Sequence, residues 1–182
     1  SSILEFYTAG HFQTYQDELN PSVFSNAHAL HALAYGGTRI LDAEQYLRDR
    51  QLASGEWMPD KWHSSWIYTT LEVLNCLLTL GMTVEISLAK QRILQSQHRD
   101  GWWSSQNDPG LLDTAYALMA LQLLADHGML ANDERFALNR GRKWLLANHD
   151  RRQLKQETLW QRTLLSLSCR PNIPVEYALE SN

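Results

Sequence analysis

A pattern of Gln, Gly and Trp recurs along the chain at a register of 46 residues. Ala43, Leu47, Gln51, Gly55 and Trp57 match Ala89, Ile93, Gln97, Gly101 and Trp103. A loop and a leucine-rich stretch follow each Trp. The first holds Leu71, Leu74 and Leu77 before Gly81-Met82; the second holds Leu118, Leu121 and Leu124 before Gly128-Met129, at a register of 47. A third copy begins with Gly141, Trp144, Leu145 and His149 and then loses the Gly-x-Trp. The repeating unit reads as a helical hairpin. Such hairpins cannot bury an apolar face alone and must stack on their neighbours.

The Gln…Gly-x-Trp turn has a physical logic. A helix ends near the Gln, whose amide can donate to and accept from the orphan backbone groups there. Gly supplies a tight reversal. Trp folds back as a large apolar plate, which makes a structural role the leading reading for Trp57 and Trp103.

The rest of the chain also reads as helix. Asn20-Pro21 predicts a helix start, apolar residues recur from 23 to 34, and Gly36-Gly37 is the stop. Thr38 is the expected cap of a second helix. Further helices are expected over 64–80 (ended by Gly81), over 84–95 (opened by Thr83) and over 111–126 after Asp108-Pro109. Two more are expected over 134–147 and 157–168, the last stopped by Pro171 and Pro174. No strand alternation extends beyond a few residues. With 182 residues and 44% hydrophobic content, a sizeable single-domain core is available and disorder is excluded.

A net charge of −4 gives no basic footprint for nucleic acid. No apolar run reaches the roughly 20 residues of a membrane span. The two cysteines, Cys76 and Cys169, are too few for a disulfide framework and fit a reducing, cytoplasmic setting. The first residues carry neither an initiating Met nor a signal peptide, so the chain is expected to begin inside a longer reading frame or after processing.

The two turns resemble the QW motifs of triterpene and diterpene cyclases, whose domains are α/α toroids. Three further segments narrow the resemblance to bacterial class II diterpene cyclases of the copalyl diphosphate synthase type. The stretch from Asn20 to Leu30 is similar to the segment downstream of that family's catalytic acid. Asp60-Lys61-Trp62-His63 is similar to its Asp-Lys-Trp-His segment, although Ser65-Trp66-Ile67-Tyr68 replaces the usual continuation. Leu112-Asp113-Thr114-Ala115-Tyr116-Ala117-Leu118 is similar to its Glu-Thr-Ala-Tyr-Ala-Leu helix, with Asp for Glu. The resemblance implies an all-α fold, an incomplete α/α toroid of antiparallel hairpins, corresponding to the later part of the family's β domain.

It also implies a chemistry. The family protonates an alkene of a linear prenyl diphosphate, here expected to be geranylgeranyl diphosphate, and leaves the diphosphate in place. An Asp held protonated and made more acidic by its neighbours is the proton donor. The carbocation then needs a dry pocket with aromatic faces. The family's Asp-x-Asp-Asp acid is absent from these 182 residues and is expected upstream, so the isolated chain is expected to be inactive.

Carried over residue by residue, Asn26 matches the position that hydrogen-bonds the catalytic Asp; the other reading is a helix Asn bonded to the backbone. His28 is a candidate catalytic group or a satisfied core histidine. His63 is a candidate base or a loop anchor. Trp62, Trp66, Tyr68 and Tyr116 are candidate pocket walls, and Asn26, Trp62, Trp66 and Tyr116 are expected to share one concave surface. Asp113 reads as a partner of backbone groups near its helix start. Lys61 is a weak candidate for the diphosphate, which Mg²⁺ accompanies in this family.

No HExxH, CxxC, Gly-rich phosphate loop or class I aspartate-rich motif occurs, so no metal site is expected in the chain itself. Two other functions stay open: a non-catalytic partner subunit, and a half-toroid that binds prenyl lipids. A partial ring exposes apolar inner helices, so the missing half or a second copy is the expected partner.

Overall fold

The computed structural model describes residues 2–60, 64–106 and 108–148. Helices dominate them: α1 (Val23–Tyr35), α2 (Leu41–Asp49), α3 (Trp66–Leu80), α4 (Thr83–Gln95), α5 (Leu111–Asp126) and α6 (Arg135–Asn148). The fold is all-α and toroid-like. Inner helices α1, α3 and α5 stand side by side, with α3 in the middle, and α2, α4 and α6 follow them as the outer row. The helix expected over 157–168 and its two prolines lie outside the described residues.

Three turns from an inner to an outer helix share one bond pattern. Thr38 N–H donates to Leu33 at 2.8 Å, Met82 N–H to Leu77 at 3.0 Å, and Met129 N–H to Leu124 at 2.8 Å. Each needs a left-handed residue just before it, supplied by Gly37, Gly81 and Gly128. This use of the Thr38 backbone explains a correction. Thr38 closes α1 and does not cap α2, which starts at Leu41 with no side-chain cap. Met82 is likewise drawn into the turn, so Thr83 is the first residue of α4. At the other end of α1, the start expected at Asn20-Pro21 falls later: Ser22 is the cap, its hydroxyl accepting from Ser25 N–H at 3.1 Å.

A short hairpin was not foreseen. After a 3₁₀ turn at Ile3–Phe6, strand β1 (Tyr7–Thr8) pairs antiparallel with β2 (His11–Phe12). Two residues per strand are too few for an alternation to register. Phe12 is buried, and β2 packs on α1 and α2.

The two Gly-x-Trp turns are alike bond for bond. Trp57 and Trp103 are fully buried, and each indole Nε1–H donates at 2.7 Å to the carbonyl ten residues back, Leu47 and Ile93. Their backbone N–H groups donate to the hydroxyls of Thr70 and Thr114, on α3 and α5. The Gln side chains do more than cap. Gln51 Nε2 donates to Gly55 O at 2.8 Å and to Glu85 O of α4 at 2.9 Å. Gln97 Nε2 repeats this with Gly101 O at 3.0 Å and Ala137 O of α6 at 2.9 Å. Each Gln therefore closes its own turn and ties one outer helix to the next. The decayed third copy keeps its place as well. Gly141 lies against Trp103, where a Cβ would sit 2.5 Å from the ring.

Cys76 lies in the C-terminal half of α3 and is fully buried. Burial, with a smaller contribution from Glu44, pushes its thiol from 9.0 up to about 12. Thiolate is the reactive form, so Cys76 is expected to resist a disulfide reagent in the native chain at pH 8 and to react in urea. Mass spectrometry of the Cys76 peptide checks this. The raised value also sets a pH dependence. Above pH 9 the unfolded thiol releases its proton and the folded one does not, so this contribution to stability is intact below pH 9 and is lost as pH rises through 12.

Candidate active site

The first two turns of the inner helices bring a row of aromatic rings together. Phe24 of α1 lies 5.5 Å from Tyr68 of α3, and Tyr68 lies 4.6 Å from Tyr116 of α5, all with tilted planes. Offset and tilted contacts of this kind suit the ring quadrupoles. One turn further along α1, His28 packs on Phe24 with centroids 4.2 Å apart. Its Nε2 lies 2.9 Å from Oε2 of Glu72, which is one turn beyond Tyr68 on α3. The His28 side chain is 49% exposed, so the pair stands at the open edge of the row. Burial raises the Tyr68 hydroxyl above its ordinary range, and Glu72 adds to the effect. Burial does the same for Tyr116, reinforced by Tyr68, Asp113 and Glu72. Both phenols therefore stay neutral near neutral pH and present uncharged faces.

Below the rings lies a network of hydroxyls and carboxylates. Ser65 caps α3 by accepting from Tyr68 N–H at 3.1 Å, and its hydroxyl donates to Oδ1 of Asp113. Oδ2 of Asp113 accepts from Ser105 N–H at 2.5 Å, and the Ser105 hydroxyl lies 3.2 Å from that of Ser65. Asp113 thus serves backbone and side-chain groups of a neighbouring loop and helix, a wider role than its own helix start.

The residues singled out from the sequence divide. His28, Tyr68 and Tyr116 belong to the row. Asn26 does not face it: it is fully buried, with Oδ1 accepting from Phe12 N–H at 2.6 Å and Nδ2 donating to Phe12 O and Ser22 O, both at 2.8 Å. Trp66 also leaves the row, because α3 turns about 200° between Trp66 and Tyr68. It is buried beneath the Arg92 guanidinium of α4, 4.9 Å from the ring centroid. Of Asn26, Trp62, Trp66 and Tyr116, expected on one concave surface, Asn26 and Trp66 are buried away from Tyr116, and Trp62 lies outside the described residues. Lys61, Trp62 and His63 lie outside the described residues.

Phe24 and Glu72 were missed by sequence reading. The available signal was helical spacing, Phe24 to His28 and Tyr68 to Glu72, each one turn apart. Among the described residues no three His, Cys, Asp or Glu side chains converge as metal ligands.

No family model matches the chain. A (+)-kolavenyl diphosphate synthase of Herpetosiphon aurantiacus is 35% identical over 156 residues, covering 86% of this chain and 30% of the relative. The structure of an ent-copalyl diphosphate synthase from Streptomyces platensis matches 81% of this chain and 31% of its own, with a TM-score of 0.73 and 29% identity. A type II terpene cyclase from Scytonema, solved with geranylgeranyl dihydroxybenzoate, shares the fold at a TM-score of 0.66 and 20% identity, over 82% of this chain and 47% of its own. The chain thus spans 30% of the length of its kolavenyl relative. No helix among the described residues is long and apolar enough to cross a membrane. With paired Gly-x-Trp turns, a toroid-like helical arc and this homology extending over most of its residues, the chain belongs with the bacterial class II diterpene cyclase-like proteins.

Proposed function

We propose that the chain forms the later part of a cytoplasmic class II terpene cyclase β domain and contributes one wall of its pocket. The substrate is a linear prenyl diphosphate, geranylgeranyl diphosphate in this reading. The observation that carries the reading is the continuous row of neutral aromatic faces Phe24, Tyr68 and Tyr116, bordered by a His–carboxylate pair. The names of the matched relatives, synthases of kolavenyl and copalyl diphosphates, support it.

In this reading the acid comes from outside these 182 residues and adds its proton to a terminal alkene carbon. The rings stabilise the cation by their quadrupoles and keep water away from it. The reaction ends when a C–H bond next to the cation breaks. Its electron pair forms the alkene and the proton passes to Nδ1 of His28, while Glu72 accepts from Nε2–H and steadies the imidazolium. Asn26 acts through β2 and the start of α1. Lys61, Trp62 and His63 complete the site in this proposal, and Mg²⁺ enters only with the diphosphate. The rest of the toroid, or a second copy, covers apolar groups such as Met119 and Phe136, which are 57% and 68% exposed.

The test is incubation of geranylgeranyl diphosphate with the protein expressed from its entire reading frame, and separately with the 182-residue chain. A cyclised diphosphate is expected from the first and none from the second. Cyclisation by the 182 residues alone would overturn the placement of the acid. Prenyl binding without turnover by the entire protein would favour a lipid-binding role. His28→Ala is expected to lower the rate of proton-loss product by about 10²-fold or more, with water-captured alcohol appearing in its place. An unchanged rate and product in that variant would remove His28 from the mechanism.

A further inference from the structure

We infer that two serine–carboxylate latches, Asp60 on Ser22 and Asp113 on Ser65, act as positioning residues that set the spacing of the Phe24–Tyr68–Tyr116 row. The latches are built alike. Ser22 caps α1 by accepting from Ser25 N–H at 3.1 Å, and its hydroxyl donates to Oδ2 of Asp60 at 2.5 Å. The same Asp60 oxygen accepts from Phe24 N–H at 3.3 Å. Ser65 caps α3 through Tyr68 N–H and donates to Asp113. Both cap hydroxyls thus act as acceptor within their helix and as donor to a carboxylate from the next repeat, and that of Ser65 also lies 3.2 Å from the Ser105 hydroxyl. Ser22 and Ser65 are 0% and 2% exposed, so water does not compete for either.

Each ring sits within one turn of a latch. Phe24 follows Ser22 by two residues, Tyr68 follows Ser65 by three, and Tyr116 follows Asp113 by three. The Asp113 bond joins α5 directly to the start of α3. The Asp60 bond joins α1 to the loop that leads into α3. A tilt of either helix end would therefore open the ring contacts before it disturbed the core behind them. Bonds to a carboxylate, buried at Asp113 and half-buried at Asp60, are directional and strong, which suits them to hold such a register. The carboxylate is needed because Asp113 accepts from two donors at once. An Asn could accept through one atom only and would point its N–H₂ at the second donor.

The consequence for product choice rests on the proposed cyclase function, but the ring spacing itself does not. The first measurement is therefore an ultraviolet tyrosinate titration of the 182-residue chain. Tyr116→Phe identifies the late-titrating component that belongs to Tyr116. In Ser65→Ala, which changes no charge, that component is expected to shift downward as water reaches the rings, with helical circular dichroism retained. Ser65→Thr keeps the hydroxyl and is expected to titrate like the parent chain. An unshifted component in Ser65→Ala would overturn the inference. Should Ser65→Ala fail to fold, Asp113→Glu replaces it, since it keeps the charge and displaces the carboxylate by one methylene; an unshifted component there is equally fatal.

The second measurement is the product ratio of Ser65→Ala in the entire protein with geranylgeranyl diphosphate. A changed ratio of products is expected, which a purely structural bond would not cause. If the parent protein makes no product, the cyclase reading fails while the titration still decides the latch.

Discussion

Replacing Trp103 or Trp57 by Ala is expected to cost about 3–5 kcal/mol of folding stability, the range for removing a fully buried aromatic side chain. Both rings are inaccessible to solvent and both spend their single donor on a carbonyl of the preceding outer helix. The loss has two parts, a cavity and a lost hydrogen bond to a buried helix carbonyl; of the two carbonyls, Ile93 O keeps the Ser96 hydroxyl at 2.9 Å. Trp103→Phe separates them, because it keeps most of the apolar volume and removes the donor while Ile93 O retains the Ser96 hydroxyl, at an expected cost of about 0.5–1.5 kcal/mol. Trp103 should suffer at least as much as Trp57, because Gly141 leaves the ring edge packed against backbone with no side chain able to move into the gap. Urea denaturation followed by circular dichroism measures both effects. A Trp103→Ala chain with an unchanged midpoint would mean that the turn does not hold the hairpins together.

Gly55→Ala and Gly101→Ala are expected to be as damaging for a different reason. Both glycines have φ near +105°, and a Cβ on Gly55 would stand 2.4 Å from the carbonyl oxygen of Leu88. On Gly101 it would stand 2.7 Å from that of Arg140. Neither obstacle is a flexible side chain; both are backbone of the next outer helix, so the hairpins must separate. The expected cost exceeds about 3 kcal/mol, combining backbone strain with a clash that cannot relax locally. Gly81→Ala is the control. Its φ is +72°, but nothing lies within 4 Å of the added carbon, so strain alone of about 1–2 kcal/mol is expected. Equal losses at Gly55 and Gly81 would refute the view that close approach between hairpins is what these turns require.

These effects show how differently the parts of the molecule could be read. The repeat was legible because each of its positions is satisfied within its own hairpin or by the backbone of the next. Gln51, Gly55 and Trp57 recur as Gln97, Gly101 and Trp103 since most of the bonds they make go to backbone carbonyls, and the Thr hydroxyl that each Trp N–H needs recurs as Thr70 and Thr114. Helices α3 and α5 were legible for a related reason: their leucines recur at helical spacing and their ends carry Gly81 and Gly128. The start of α2 was misplaced because Thr38 had two possible uses, cap or turn closure, and composition cannot choose between them.

The site was less legible. His28, Tyr68 and Tyr116 could be picked out as residue types on inner helices, and the resemblance to cyclases placed them in a pocket. Their assembly into one row depended on the rotation of three helices about their axes. That rotation also turned Trp66 toward Arg92 and sealed Asn26 against Phe12. Glu72 gained its role only when α1 and α3 packed side by side, 44 residues apart in the chain. The sequence by itself determined the hairpin repeat, the helical class and the family, because those rest on local periodicity and short-range hydrogen bonding. Only the tertiary structure decided which side chains share a face, because that is set by packing between helices distant in sequence, where a turn of 100° per residue sends neighbours to different surroundings.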